Sequence, residues 1–247
     1  MLRSPVVSMS FALVSALLAV LSLAGARARS QVHIPVNIVP IYAIQGPGSA
    51  TPLAEQWVDT YGVVTGVTAT GFYLQDPMGD GDPRTSDGLF IYTRTRPNLT
   101  AGECVAVSRG YVDEFYEKTE LSRVRAPEPV DYCATVDLAP AVVEPAQPGV
   151  NPEVRFEHVE GMLVRVDDLV GTVQGATKRF GNGDVEIAFL PDPWPAVTPG
   201  GRVFQADGAR MQGLMYLSGS FGAELPELNW GDRIGLGAAP GDADAVV

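Results

Sequence analysis

Lysine is nearly missing from this chain: Lys118 and Lys178 are the only two among 247 residues, so arginine carries almost all of the positive charge. Histidine is equally scarce, with His33 and His158 alone. Neither lies near a cysteine in sequence, and no Ser/His/Asp set, Walker-type loop or zinc-type His/Cys cluster appears. Cys104 and Cys133 are the only cysteines, and they are not in C-x-x-C form, which argues against a thioredoxin-like redox pair. Beyond residue 23 no apolar run approaches the roughly 20 residues needed to span a bilayer as a helix. Amphipathic helical periodicity of useful length is also missing, which argues against a helical bundle.

What is present begins with acid. There are 29 acidic against 17 basic side chains, a net charge of −12. Such a surface keeps a protein soluble and repels phosphate backbones at long range, so any nucleic-acid role must rest on a local patch. The first residues read as an export signal: Arg3, then the apolar run Phe11–Leu23, then Ala24-Gly25-Ala26-Arg27-Ala28 with two overlapping A-x-A cleavage patterns. An uncleaved anchor is the competing reading, but the uninterrupted apolar run is shorter than a span. Residues 1–28 are therefore expected to leave as a signal peptide, and the remainder to fold in a secreted, periplasmic or extracellular setting. There an even cysteine count favours a Cys104–Cys133 disulfide over two buried thiols.

The rest of the sequence carries the pattern of strands. Short runs rich in Val, Ile, Tyr, Phe and Thr alternate with Gly, Pro and Asp turns. Ile38–Ile44 reads as a leading strand. Trp57–Thr68 is long, with Gly62 and Gly66 marking a bulge or a tight bend. Phe72–Asp76 follows as the second arm of a hairpin, then Gly88–Thr93, Cys104–Tyr116 and Thr119–Val124. Five strands in the order long and bent, short, short, long, short suit a closed OB-fold-like barrel, which removes sheet edges. The stretch Arg94–Glu103 is too short for the helix usual between the third and fourth strands. Residues 38–138 are thus read as an all-β, OB-fold-like domain, with a plausible extra strand at Val130–Leu138. Six prolines fall in Ala126–Pro152, and residues 139–154 read as a Pro-rich linker. A second, incomplete β unit is expected over 155–247. Its strands are predicted at Gly161–Val166, Asp184–Leu190, Arg202–Gln205, Gln212–Ser218 and Leu228–Leu236, with a weakly structured tail at Gly235–Val247.

Several blocks in order carry a resemblance to a known family. They are Ile44-Gln45-Gly46, Tyr61-Gly62-Val63-Val64-Thr65, Gly71-Phe72-Tyr73-Leu74-Gln75-Asp76, Thr85-Ser86-Asp87-Gly88-Leu89-Phe90 and Gly110-Tyr111-Val112-Asp113-Glu114-Phe115. Further on come Val159-Glu160-Gly161-Met162-Leu163-Val164 and Leu228-Asn229-Trp230-Gly231-Asp232-Arg233-Ile234. Together they resemble the OB-fold and following non-catalytic region of bacterial extracellular nucleases of the endonuclease/exonuclease/phosphatase type. In that family more strands and then the catalytic domain follow, whereas this sequence stops at Val247. The family's chemistry needs histidines, carboxylates and an asparagine around a metal, and neither His33 nor His158 sits in a matching motif. The resemblance implies an exported, non-catalytic module that presents DNA to a catalytic nuclease domain or partner, or that is left from a truncated nuclease.

An OB barrel typically offers strands 2 and 3 with their loops to an oligonucleotide. The stacking candidates are Tyr73, Phe90 and Tyr92, with Arg94, Arg96 and Arg109 as phosphate partners for single- or double-stranded DNA. The bland alternative is that these aromatics pack the barrel or cover its outside. Asp76, Asp80, Asp82 and Asp87 form an acidic loop that could hold Ca²⁺, or could simply be a turn built from Asp, Gly and Pro. The runner-up function is accordingly an extracellular calcium-stabilised scaffold or protein-binding module.

Overall fold

A computed structural model describes residues 38–143, 152–167, 169–192, 214–236 and 244–246. The predicted signal peptide, His33 and the strand expected at Arg202–Gln205 lie outside the described residues.

The chain is all-β, and its first half closes into an OB-like barrel. After a short helix α1 (Ile41–Gln45) come β1 (Trp57–Val67), β2 (Gly71–Gln75), β3 (Gly88–Tyr92), β4 (Cys104–Phe115), β5 (Lys118–Ser122) and the two-residue β6 (Glu128–Pro129). The strand order is β1-β2-β3-β5-β4-β6, and β1 also pairs with β4, which closes the five-stranded ring. β3 and β5 run parallel and meet only at Phe90–Glu120 and Ile91–Leu121. Every other pairing in the ring is antiparallel.

Alternation decides what fills the barrel. Phe72 and Leu74 of β2, and Leu89 and Ile91 of β3, are fully buried in one apolar cluster. Val105 and Val107 of β4 join them, and so does Val112. The change from odd to even positions is a β-bulge: Val58 faces Gly110 while Thr60 faces Val107, so Ser108 and Arg109 together oppose Asp59. A second irregularity falls between Val64 and Gly66 of β1, where the sequence predicts one. Gly62 has a different reason: a Cβ there would lie 2.5 Å from the Gln75 carbonyl oxygen of the neighbouring strand.

Two expectations for this half are corrected. Ile38–Ile44 is not a strand: one bridge joins Ile38 to Asp59, and Pro40 then opens α1. Spacing i, i+3 places Ile41 and Ile44 on one side of that turn, and both are fully buried in the barrel core. Burial thus overrides their β preference. Nor is Val130–Leu138 a strand. The Val130 N–H bonds the Cys104 carbonyl, and the segment then coils through Ala134 N–H to Asp131 O and Val136 N–H to Cys133 O. The disulfide Cys104–Cys133 ties the coil to the outer face of β4. Val63, Cys104, Ala106, Val130 and Cys133 form a separate small core there.

The second half contains β7 (Ala141–Val143), α2 (Pro152–Glu157), β8 (Leu163–Val166), β9 (Leu169–Val173), β10 (Lys178–Arg179), β11 (Val185–Pro191), β12 (Met215–Ser218), β13 (Arg233–Leu236) and β14 (Asp244–Val246). One sheet runs β10-β11-β9-β13 with β12 on β11, and the other runs β14-β8-β7. Leu169, Val173, Ile187, Phe189 and Ile234 make its core. The expected linker is therefore not wholly irregular. Ala141–Val143 pairs in parallel with β8, and Pro152 starts a helix. The described residues cluster as one compact unit.

The two halves meet backbone to backbone. A Cβ on Gly88 would lie 2.2 Å from Gly161 C and Met162 N. Around that contact Ser86 Oγ donates to the Glu160 carbonyl (2.6 Å) and Leu163 N–H to Gln75 Oε1 (2.8 Å). Thr119 N–H donates to Glu160 Oε1 (2.8 Å), and Gln45 Nε2 to the Gly88 carbonyl (2.6 Å). Residues 160–163 thereby bridge the starts of β3 and β5, which have the fewest residues in register of any pair in the five-stranded ring.

Candidate nucleic-acid interface

The six expected nucleic-acid contacts do not form one surface. Tyr73 points out of β2, as alternation requires, but its ring packs against Phe90 (4.9 Å between centroids) and Phe221 (5.7 Å). Burial beside Glu160 and Glu120 pushes its hydroxyl up to about 12, so it stays a neutral phenol. Phe90 is only 6% exposed, and Lys118 Nζ sits 3.9 Å from its ring centre. On the outside of the barrel Tyr73 thus packs against Phe221 of the second half, and Phe90 against Tyr73 and Lys118 of the barrel itself. Phe221 also explains Gly66, where a Cβ would lie 2.4 Å from its ring.

The other four remain at the surface. Tyr92 ends β3 and is 36% exposed. Arg94 and Arg96 follow it, both exposed, and Arg96 donates to the Val67 carbonyl (3.2 Å). Arg109 lies elsewhere, in the β4 bulge, with its backbone N–H held by Asp59 Oδ1 (2.6 Å). Its guanidinium lies 5.1 Å from the centre of the Trp57 ring. Trp57 meets Tyr111 edge-on (5.2 Å), and Arg123 stands over Tyr111 at 4.4 Å. Trp57, Tyr111 and Arg123 escape local sequence reading, because only the bulge brings Arg109 and Tyr111 to the same outer face as Trp57.

These arginines share a backbone property. Six described non-glycine residues have positive φ, and three are Arg94 (69°), Arg109 (57°) and Arg123 (54°). Left-handed backbone costs an L-residue about 1–2 kcal/mol and normally selects glycine or asparagine. Among the described residues none of these three forms an ion pair, whereas Arg84, Arg165, Arg179 and Arg233 all do.

In the acidic loop the aspartates bond the loop's own backbone and one arginine. Asp76 Oδ1 accepts Met78 N–H (3.0 Å) and Gly79 N–H (3.3 Å), and Asp80 Oδ1 accepts Asp82 N–H (2.8 Å). These are bonds of an Asx turn. Asp82 is engaged by Arg84 at 2.6 Å, which holds its carboxyl down at about 2. Asp87 is pushed up to about 6 by burial and by Asp76 and Asp80, and its Oδ1 is buried without a hydrogen-bond partner among the described residues. Among the described residues no group of three or more His, Cys, Asp or Glu side chains is placed to hold a metal ion.

A second carboxylate cluster lies at the seam. Burial, then Glu157 and Glu114, push Glu160 up to about 8, against the Thr119 N–H and Lys118. Glu157 and Glu120 are raised as well, chiefly by burial. His158 follows α2 and is half-buried, with its backbone N–H bonded to the Val154 carbonyl.

Among the described residues no helix is long and apolar enough to cross a membrane. No protein-family model matches the chain, and no curated protein matches it either.

Proposed function

We propose that this protein is an exported, non-catalytic module that binds a nucleic-acid strand at the rim of its OB-like barrel and presents it to a catalytic nuclease domain or partner. The observation that carries the reading is the end of β3. There an exposed Tyr92 is followed by Arg94, held in left-handed backbone and without an ion pair among the described residues, and by Arg96. An aromatic platform beside unneutralised guanidinium groups suits bases and phosphates together. In a chain with 29 acids such a patch is a local exception to the overall repulsion. The disulfide supports an oxidising compartment.

The reading is tested by fluorescence anisotropy with a labelled oligonucleotide at low salt. Affinity is expected to fall steeply as salt rises. Tyr92→Ala is expected to remove about 1–3 kcal/mol of binding, the usual worth of one stacked base. Failure of the intact protein to bind any oligonucleotide at low salt ends the proposal.

A further inference from the structure

A second surface on the barrel wall carries an inference that rests on the nucleic-acid reading and extends it. The sequence of contacts is Arg109, Trp57, Tyr111, Arg123, alternating between β4, β1, β4 and the residue after β5. Trp57 and Tyr111 are direct cross-strand partners, and Tyr111 is in turn paired with Ser122. Each guanidinium stands over one ring while its arginine stays exposed, so the assembly presents flat cations held beside aromatic rings. Arg125 is exposed next to the bulge, with its N–H directed at the Ser108 carbonyl (3.4 Å). Three arginines thus gather on a protein with net charge −12.

Folding alone would place other residues here. Arg109 occupies the left-handed position of a bulge, where glycine is the ordinary occupant. Arg123 adopts the same backbone just past the end of β5. Trp57 is 47% exposed at the start of β1. Bulges re-aim side chains next to functional sites, and strained backbone collects there too.

We propose that Arg109, Trp57, Tyr111 and Arg123 form a contact site for single-stranded nucleic acid, in which the guanidinium planes stack on bases and their edges take the phosphates. Bases stack on arginine planes in strand-binding proteins, and unpaired cations supply the phosphate term. A sulfated or carboxylated polysaccharide offers the anions without flat bases, which leaves the stacked planes unused.

The test uses the full exported chain and a (dT)20 oligonucleotide. The double variant R109N/R123N keeps residues that tolerate left-handed backbone, and a thermal melt equal to that of the parent shows it is folded. Its affinity is expected to fall at least about tenfold, and the slope of log K against log salt to fall by about 1.4, or 0.7 for each phosphate released. In W194F/W230F, Trp57 is the sole tryptophan, and (dT)20 is expected to quench its emission. Unchanged affinity and slope in R109N/R123N, with binding still weakened by Y92A, overturn the wall site and leave the rim reading standing. Weakening by R109N/R123N alone, with Y92A without effect, supports the wall site and ends the rim reading. Binding of heparin through the same arginines without binding of (dT)20 overturns the assignment to nucleic acid at both surfaces.

Discussion

Gly88 of β3 and Gly161 of the second half lie in backbone contact, with less room between them than one methyl group needs. Gly161 also has φ of 71°, so it is constrained twice, by space and by conformation. Through this contact residues 160–163 reach both Ser86 before β3 and Thr119 on β5.

Gly88→Ala is expected to force the two backbones apart. Overpacking in a close contact costs about 1–3 kcal/mol, and the Ser86 and Gln75 bonds to residues 160 and 163 would be strained with it. Urea unfolding is the measurement. A midpoint equal to the parent's would show that the seam yields freely.

Glu160 makes the seam respond to pH. Its folded pKa of about 8 lies above the ordinary carboxylate value, so folding takes up a proton. The stabilising neutral form is fully present in acid, and its contribution is lost as pH rises from the unfolded value through about 8. Glu160→Gln stays neutral and can still accept the Thr119 N–H. The variant is expected to melt with the parent near pH 5 and above it near pH 9, by an amount on the order of a few kcal/mol. Parallel melting curves across that range would remove Glu160 as the source.

The disulfide closes a loop with a sequence separation of 29 residues. Chain entropy puts its contribution at about 3–4 kcal/mol. Reduction, or C104A/C133A, is expected to lower stability by that order and to loosen the coil at 130–138. Hydrogen exchange at the Val130 and Val136 amides reports the second effect separately from the first.

Thr60 Oγ1 is buried in β1 and has no hydrogen-bond partner among the described residues, at 0% exposure for the residue. Valine keeps the branched shape and removes the unpaired hydroxyl. Thr60→Val is expected to raise stability by about 1 kcal/mol, read as an upward shift in the melting temperature. A lower melting temperature would mean that the hydroxyl has a partner in solution.

The five barrel strands and the disulfide were legible because alternation, turn residues and cysteine count are local or compositional signals. Ile41 and Ile44 were not, since a single helical turn held by burial leaves no pattern that outweighs β-branching. The packing of Tyr73 against Phe221 leaves no local pattern either, since Phe221 lies more than a hundred positions away in the chain. The wall site failed to show for a different reason. Arg109 stands out in the sequence as a cation, but strict period-two reading carried past it assigns Tyr111 to the core side, and only the bulge brings Tyr111 out beside Trp57.

The contact at Gly88 and Gly161 bears on how such a barrel can travel between proteins. A gene segment ending after Leu138 would encode all five staves, but not the peptide that joins the third to the fifth. A segment that keeps this bridge runs through the proline-rich stretch and past Leu163. Grafting the barrel together with Glu160-Gly161-Met162 keeps the partners of Ser86 and Thr119, and grafting it without them leaves both groups to be satisfied by the new host.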